Sequence, residues 1–283
     1  MGAPVDTYKA DTYKAEDLSR REFLTRLSVA GLGAVAMPML AGCGGGQSTS
    51  NGFSNATFPG VVGRNNTEVV LNYALTLEIA EADLYRQALN RASGRSVSQA
   101  LDPKLPLPGQ IGNYTRTLAI GGFDTNTANL AFLYLLQFAY IEATHRDYLT
   151  ATLTGLGAPQ AQANLKGYQF PNNEPGADLK TIITNLYAIE ETGQRAYLGA
   201  LTSLADNNTA QVISALQSTE ARHSTALAML LGKDPGPSPG VALTTDLSIP
   251  GAGAVPVVAT DVFEYYSQPS DVLTKLTASY YLK

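Results

Sequence analysis

The chain contains only two histidines, and each stands three residues after a glutamate: Glu142-Ala143-Thr144-His145 and Glu220-Ala221-Arg222-His223. On an α-helix, residues three apart project from the same face. Each pair is therefore one carboxylate and one imidazole presented together, which is a metal-ligand pattern. Both pairs interrupt an apolar stripe. Leu135, Phe138, Glu142, His145 and Leu149 step along one helix side at intervals of three and four, and so do Leu216, Glu220, His223, Leu227 and Leu230. A carboxylate on such a stripe is costly unless it is paired or neutralised. Glu78 follows Leu71 and Leu75 on a third stripe, and Glu190 follows Ile183, Leu186 and Tyr187 on a fourth. The candidate ligand set, which is also the candidate catalytic set, is Glu78, Glu142, His145, Glu190, Glu220 and His223. Four carboxylates with two imidazoles suit a pair of iron or manganese ions, with Glu142 and Glu220 as the bridges. Zinc-only structural sites favour cysteine and four-coordination. The competing reading is a bundle with buried, hydrogen-bonded Glu–His pairs and no metal.

Other residues stand behind this set. Glu81 is one turn from Glu78, and Tyr85 and Tyr197 lie two turns beyond Glu78 and Glu190. These three are candidates to support the ligands, the tyrosines equally as ordinary core residues. Glu191 is about 100° round the helix from Glu190 and points off the core face. Arg146 and Asp147, next to His145, read more naturally as a surface pair.

Four segments with the helical period must position the ligands: about 66–92, 127–153, 177–204 and 209–231. Each is long enough to cross a bundle. The short Asp206-Asn207-Asn208 join makes the last two antiparallel neighbours. Residues 155–176, with Pro159, Pro171 and Pro175, are long enough for a crossover down the bundle. Residues 93–126 are long for a simple turn and would pack over one end or carry a function. Residues 232–259 are rich in Pro and Gly and cannot be a regular helix. A short closing helix is expected after Pro269, packed on the bundle because its density of aromatics would be costly to expose.

The N-terminus has a separate purpose. Ser19-Arg20-Arg21-Glu22-Phe23-Leu24 precedes a short apolar stretch, 27–40, and resembles a twin-arginine export signal. The stretch is too short and too Gly/Ala-rich for a permanent span. Leu40-Ala41-Gly42-Cys43 looks like a lipoprotein acylation motif, with Cys43 as the acylated residue. Cys43 is the sole cysteine, so the chain makes no internal disulfide. The expected organisation is a signal peptide at 1–42, a Gly/Ser/Asn-rich tether at 43–62, a four-helix bundle at 63–231 and an extension at 232–283. The formal net charge of -5, with no basic stripe, argues against nucleic acid as a partner.

Taken together these residues resemble the ferritin-like superfamily. Leu71 to Glu78, continuing to Tyr85, looks like its first ligand helix. Glu142 with His145, Glu190 with Tyr197-Leu198-Gly199-Ala200, and Glu220 with His223 match the others. The likeness covers roughly residues 66–231 and is nearest to exported bacterial ferritin-like proteins and plant desiccation-related proteins. It implies an all-α, ferritin-like four-helix bundle with a long crossover and two iron or manganese ions as cofactors. The resemblance does not name a reaction; with the acyl-anchor motif it leads to the expectation of an envelope-anchored di-metal protein which, if an enzyme, oxidises Fe²⁺ or removes peroxide. The alternative is a non-enzymatic structural or partner-binding envelope protein of the same fold. Expected partners are the membrane, through the acyl anchor, and a homo-oligomer or an envelope protein. An enzyme would also need an external electron donor, because the chain has no Cys-x-x-Cys pairs.

Overall fold

The structure is a computed structural model that describes residues 57–102, 112–163, 167–169, 177–236 and 266–280. Arg20, Arg21 and Cys43 lie outside the described residues, as do most of the tether and most of the Pro/Gly-rich extension. The described residues are all helix, turn or irregular chain apart from one isolated bridge residue, and they fall within the unit Ser50–Lys283.

Five helices are described: α1 Asn66–Ala92, α2 Thr125–Gly155, α3 Leu179–Leu201, α4 Asn207–Leu230 and α5 Pro269–Ser279. The expected spans agree with α1 at both ends and with α2–α4 to within three residues. Three helices begin in the same way. Asp124, Asp178 and Asp206 each accept the backbone N–H and the hydroxyl of a threonine three residues on, Thr127, Thr181 and Thr209. This occupies backbone donors that a helix start otherwise leaves open. It also holds all three Asp carboxyls below their usual range, chiefly through those threonine bonds. At α1 the cap is Asn65, and Arg64 forks onto Glu68.

Contacts at the helix ends fix the topology. At one end, the Asn66 amide donates to Ser203 O (3.2 Å) and the Arg64 guanidinium to Leu156 O (3.3 Å), so the start of α1 lies beside the ends of α2 and α3. At the other, Thr117 N donates to Ala92 O (2.9 Å) and Leu179 N to Ala119 O (2.8 Å). α1 therefore runs antiparallel to α2 and α3, and α2 and α3 run parallel. Such a pair needs a connection as long as the bundle, and residues 156–178 supply it. α1 packs chiefly on α2, and α3 on its antiparallel neighbour α4.

The crossover is pinned to α1 by buried amides. Asn72 donates to Pro159 O (2.9 Å) and accepts from Ala161 N (2.7 Å), and Gln87 donates to Tyr168 O (3.3 Å). The first long connection covers the far end, with Tyr114 and Phe123 buried and Tyr140 donating to Asp102 O (2.8 Å). With both covers in place, 20 of the 27 residues of α1 are buried, so it is an internal helix rather than a one-faced one. Phe58, within the span expected as tether, is buried edge-on against Tyr73.

The expected closing helix begins at Pro269 and buries Val272, Leu273 and Leu276. Its approach to α3 depends on Gly199. A Cβ there would lie 1.9 Å from Ser267 O, a backbone atom that cannot swing aside. Gly199→Ala sets a helix-propensity gain of about 1 kcal/mol against an overpacking cost of roughly 1–3 kcal/mol. The expected result is a lower thermal midpoint and faster proteolytic removal of the C-terminal segment from an otherwise helical protein. Unchanged proteolysis would show that the close approach is not needed. Among the described residues no helix is long and apolar enough to cross a membrane.

Candidate metal centre

All six candidate ligands meet at mid-bundle. Glu78 comes from α1, Glu142 and His145 from α2, Glu190 from α3, and Glu220 and His223 from α4. All four carboxylates are fully buried. Their ligand atoms form two groups, each with every atom within 4.8 Å of the others: Glu78, Glu142, His145 and Glu220; and Glu142, Glu190, Glu220 and His223. Glu142 and Glu220 belong to both groups. His145 Nδ1 lies 3.2, 3.4 and 3.5 Å from oxygens of Glu142, Glu220 and Glu78. His223 Nδ1 lies 2.9, 3.4 and 3.6 Å from oxygens of Glu142, Glu190 and Glu220.

These short distances are mostly not hydrogen bonds. Glu78 Oε2, Glu142 Oε1, Glu190 Oε2, both oxygens of Glu220 and both ring nitrogens of His223 have no hydrogen-bond partner among the described residues. Buried polar atoms are rarely left so. Converging donor atoms left without hydrogen-bond partners form a cluster that could hold a metal ion. A metal-free core of paired Glu and His would show the opposite, and only His145 with Glu142 meets that description. Carboxylate oxygens with imidazole nitrogens are a donor set that suits divalent metal ions.

A sequence model of the family described as ferritin-like domain matches residues 67–233, more than half of the chain. The chain belongs to the ferritin-like family. No match to a curated protein accompanies it. The matched region covers the four long helices of this ferritin-like bundle, apart from the first residue of α1, and all six candidate ligands, and α5 lies beyond it.

The two tyrosines cross over. Tyr85 on α1 donates to Glu190 on α3, and Tyr197 on α3 donates to Glu78 on α1 at 2.6 Å. In each helix the tyrosine follows the glutamate by seven residues, about 10.5 Å of rise. Because α1 and α3 are antiparallel, the same offset in both sets each tyrosine opposite the other helix's glutamate. Each phenol fixes one carboxylate oxygen and leaves the second, Glu78 Oε2 or Glu190 Oε2, without a partner. Burial, with the carboxylates as the next cause, pushes both phenols well above their ordinary value, so they remain donors. Tyr197→Phe is expected to weaken metal binding about 10–100-fold, the usual cost of losing a group that orients a ligand. Competition with a chelator measures it, and wild-type affinity would mean that Glu78 needs no such anchor.

Burial, opposed by His145, pushes the Glu78 carboxyl up to about 8. Burial likewise raises Glu190, against His223. Glu142 and Glu220 are held low by the imidazoles despite burial, and both imidazoles are raised despite burial by the carboxylates around them. These opposing shifts arise because four buried carboxylates and two imidazoles face one another inside this ferritin-like bundle.

Neighbouring residues fall as follows. Phe138 stacks on the His223 ring at 3.9 Å between centroids. Glu191 is turned away and tied to Gln194, Arg195 and Ser224. Arg146 and Asp147 pair with each other at the surface. Glu81 is 5% exposed and has one oxygen without a partner, yet it belongs to neither ligand group. Burial first, then Glu220, raises its carboxyl well above the ordinary value. It has room because residue 193 is glycine: a Cβ there would lie 2.8 Å from Glu81 Oε1. Gly193, three residues after Glu190 on the same face, was the available sequence signal for this space, and the apolar-stripe pattern does not register it.

Proposed function

We propose that this ferritin-like bundle holds two ions of iron or manganese and serves as an oxidoreductase of the cell envelope. The observation that carries the reading is the pair of ligand groups sharing Glu142 and Glu220. In this reading Glu78, Glu142, His145 and Glu220 would hold one ion and Glu142, Glu190, Glu220 and His223 the other, with Glu142 and Glu220 serving both. Four carboxylates against two divalent ions leave the buried charge close to balance. Such a pair of ions, when bound, supplies valence change and polarises an oxygen species.

The chain's own residues do the remaining tasks. Tyr85 and Tyr197 hold Glu190 and Glu78 in place. Phe138 braces the His223 ring. Leu135, Leu186 and Leu216, all buried, contribute to the apolar body that keeps bulk water from the ligands. The reaction class is two-electron reduction of dioxygen or peroxide, with protons taken up to give peroxide or water. The electrons come from Fe²⁺ or from an external donor. Export would follow the Arg20-Arg21 signal, and anchoring would follow acylation of Cys43.

The test is anaerobic loading with Fe²⁺ followed by dioxygen or hydrogen peroxide. Oxidant consumption with a growing ferric absorbance is the expected result. Normal metal retention with neither signal, together with specific capture of an envelope partner, would instead favour the non-enzymatic reading.

A further inference from the structure

We infer that the cavity between α1, α3 and α5 is the route by which dioxygen reaches the carboxylate cluster. The inference rests on the di-metal oxidation proposed above and adds the substrate's path to it.

The cavity measures about 40 Å³. Room for one water needs roughly 10–15 Å³, so a molecule larger than a single water fits. Its walls are largely aliphatic: Leu77 from α1, Ile189 from α3, and Val272 and Leu276 from α5. A water held there would need two to four polar partners, and a charged occupant would be stripped of its hydration against these side chains. Glu81, Thr192, Lys275 and Tyr280 supply the polar side chains of the lining, the rest of the wall is apolar, and a small uncharged molecule needs no polar partner there. Exposed Lys275 also lines the cavity, so it meets solvent on the α5 side.

Its inner wall is formed partly by Glu81 and Gly193. Glu81 brings a buried carboxyl oxygen with no partner. At Gly193 a Cβ would lie 2.8 Å from Glu81 Oε1 and 3.7 Å from Glu220 Cγ. At Gly193 the lining of the cavity is therefore backbone with the Glu81 carboxyl against it, and Glu220, a member of both ligand groups, lies just behind. Helix α5, which lies outside the ferritin-like match, completes the opposite wall.

Two variants plug the cavity from different helices: Val272→Phe on α5 and Ala80→Leu on α1. The probe is xenon, an uncharged atom of suitable size, applied to the metal-free full chain and followed by ¹²⁹Xe NMR or located in crystals under xenon pressure. Each variant's thermal midpoint and iron content are measured beside it, and dioxygen consumption is then measured after iron loading. The expected result is xenon between Ile189 and Val272 in the wild type and its loss in both variants. The iron-loaded variants should consume dioxygen about tenfold more slowly or worse at unchanged iron per chain. Absence of xenon from the wild-type cavity overturns the route. So do wild-type consumption rates in both plugged variants. A wild-type chain that binds xenon in the cavity but consumes no dioxygen when loaded overturns the oxidation reading and the route with it, and the xenon signal tells that outcome from a missing cavity.

Discussion

Glu220→Gln is expected to leave the chain without bound metal, whereas His145→Ala is expected to leave one ion of two. The difference follows from membership in the two ligand groups. Glu142 and Glu220 contribute to both, while Glu78 and His145 serve one and Glu190 and His223 the other. Two divalent ions a few ångströms apart repel strongly, and a shared carboxylate between them offsets that repulsion. Removing a shared carboxylate therefore weakens both positions and their tolerance of each other. Removing an imidazole strips one position and leaves Glu142, Glu190, Glu220 and His223 around the other. Glutamine keeps the volume of glutamate, so lost metal is not confused with a packing defect. Elemental analysis of each variant, with its thermal midpoint, reads the outcome. Equal losses from Glu220→Gln and His145→Ala would mean that the groups act as independent sites or as one.

Metal loading is expected to raise the thermal midpoint by about 5–15 °C at ligand concentrations of roughly 100–1,000 times Kd, and to do so more at pH 8 than at pH 6. Without metal, the folded chain holds the Glu78 proton up to about 8, while the unfolded chain releases it near 4.5. Folded protein binds more protons across that window, so the stability of the metal-free form falls as pH rises through it. The raised imidazoles act in the same direction. Their contribution is complete below the ordinary 6.5 and is lost as pH climbs through their raised folded values. Glu142 and Glu220, held low, contribute above 4.5 and lose that contribution only in acid. Metal binding needs the carboxylates deprotonated and the imidazoles neutral, so it releases protons and tightens with pH. The two trends diverge, and the midpoint difference between loaded and metal-free protein widens. A difference independent of pH between 6 and 8 would contradict this account of what balances the buried carboxylates.

The bundle was legible in the sequence because its signals are local. The 3.6-residue period of α1–α4 and the two Glu-x-x-His pairs lie within single helices, and so does the stripe position of Glu78 and Glu190. The three Asp-x-x-Thr helix starts were equally local and available, although the apolar pattern does not draw attention to them. What the pattern leaves out depends on a second element. Asn72 reads as an ordinary polar residue on α1 until the crossover brings Pro159 and Ala161 to it. Phe58 looks like part of a tether until Tyr73 is placed beneath it. The seven-residue Glu–Tyr offset is visible in both helices, but the swap of partners requires knowing that α1 and α3 are antiparallel. Glu81 and Gly193 matter only as a pair across two helices, and Gly199 only against the backbone of Ser267.

The most direct test of the central claim is metal per chain. The full chain, purified after anaerobic loading with Fe²⁺ or Mn²⁺ and freed of loosely held ions, is measured by elemental analysis beside the Glu142→Ala/Glu220→Ala double variant. The account predicts close to two iron or manganese ions per chain in the wild type and none in the variant. A wild-type chain that holds no metal after loading, or a variant that keeps its full complement, would contradict it.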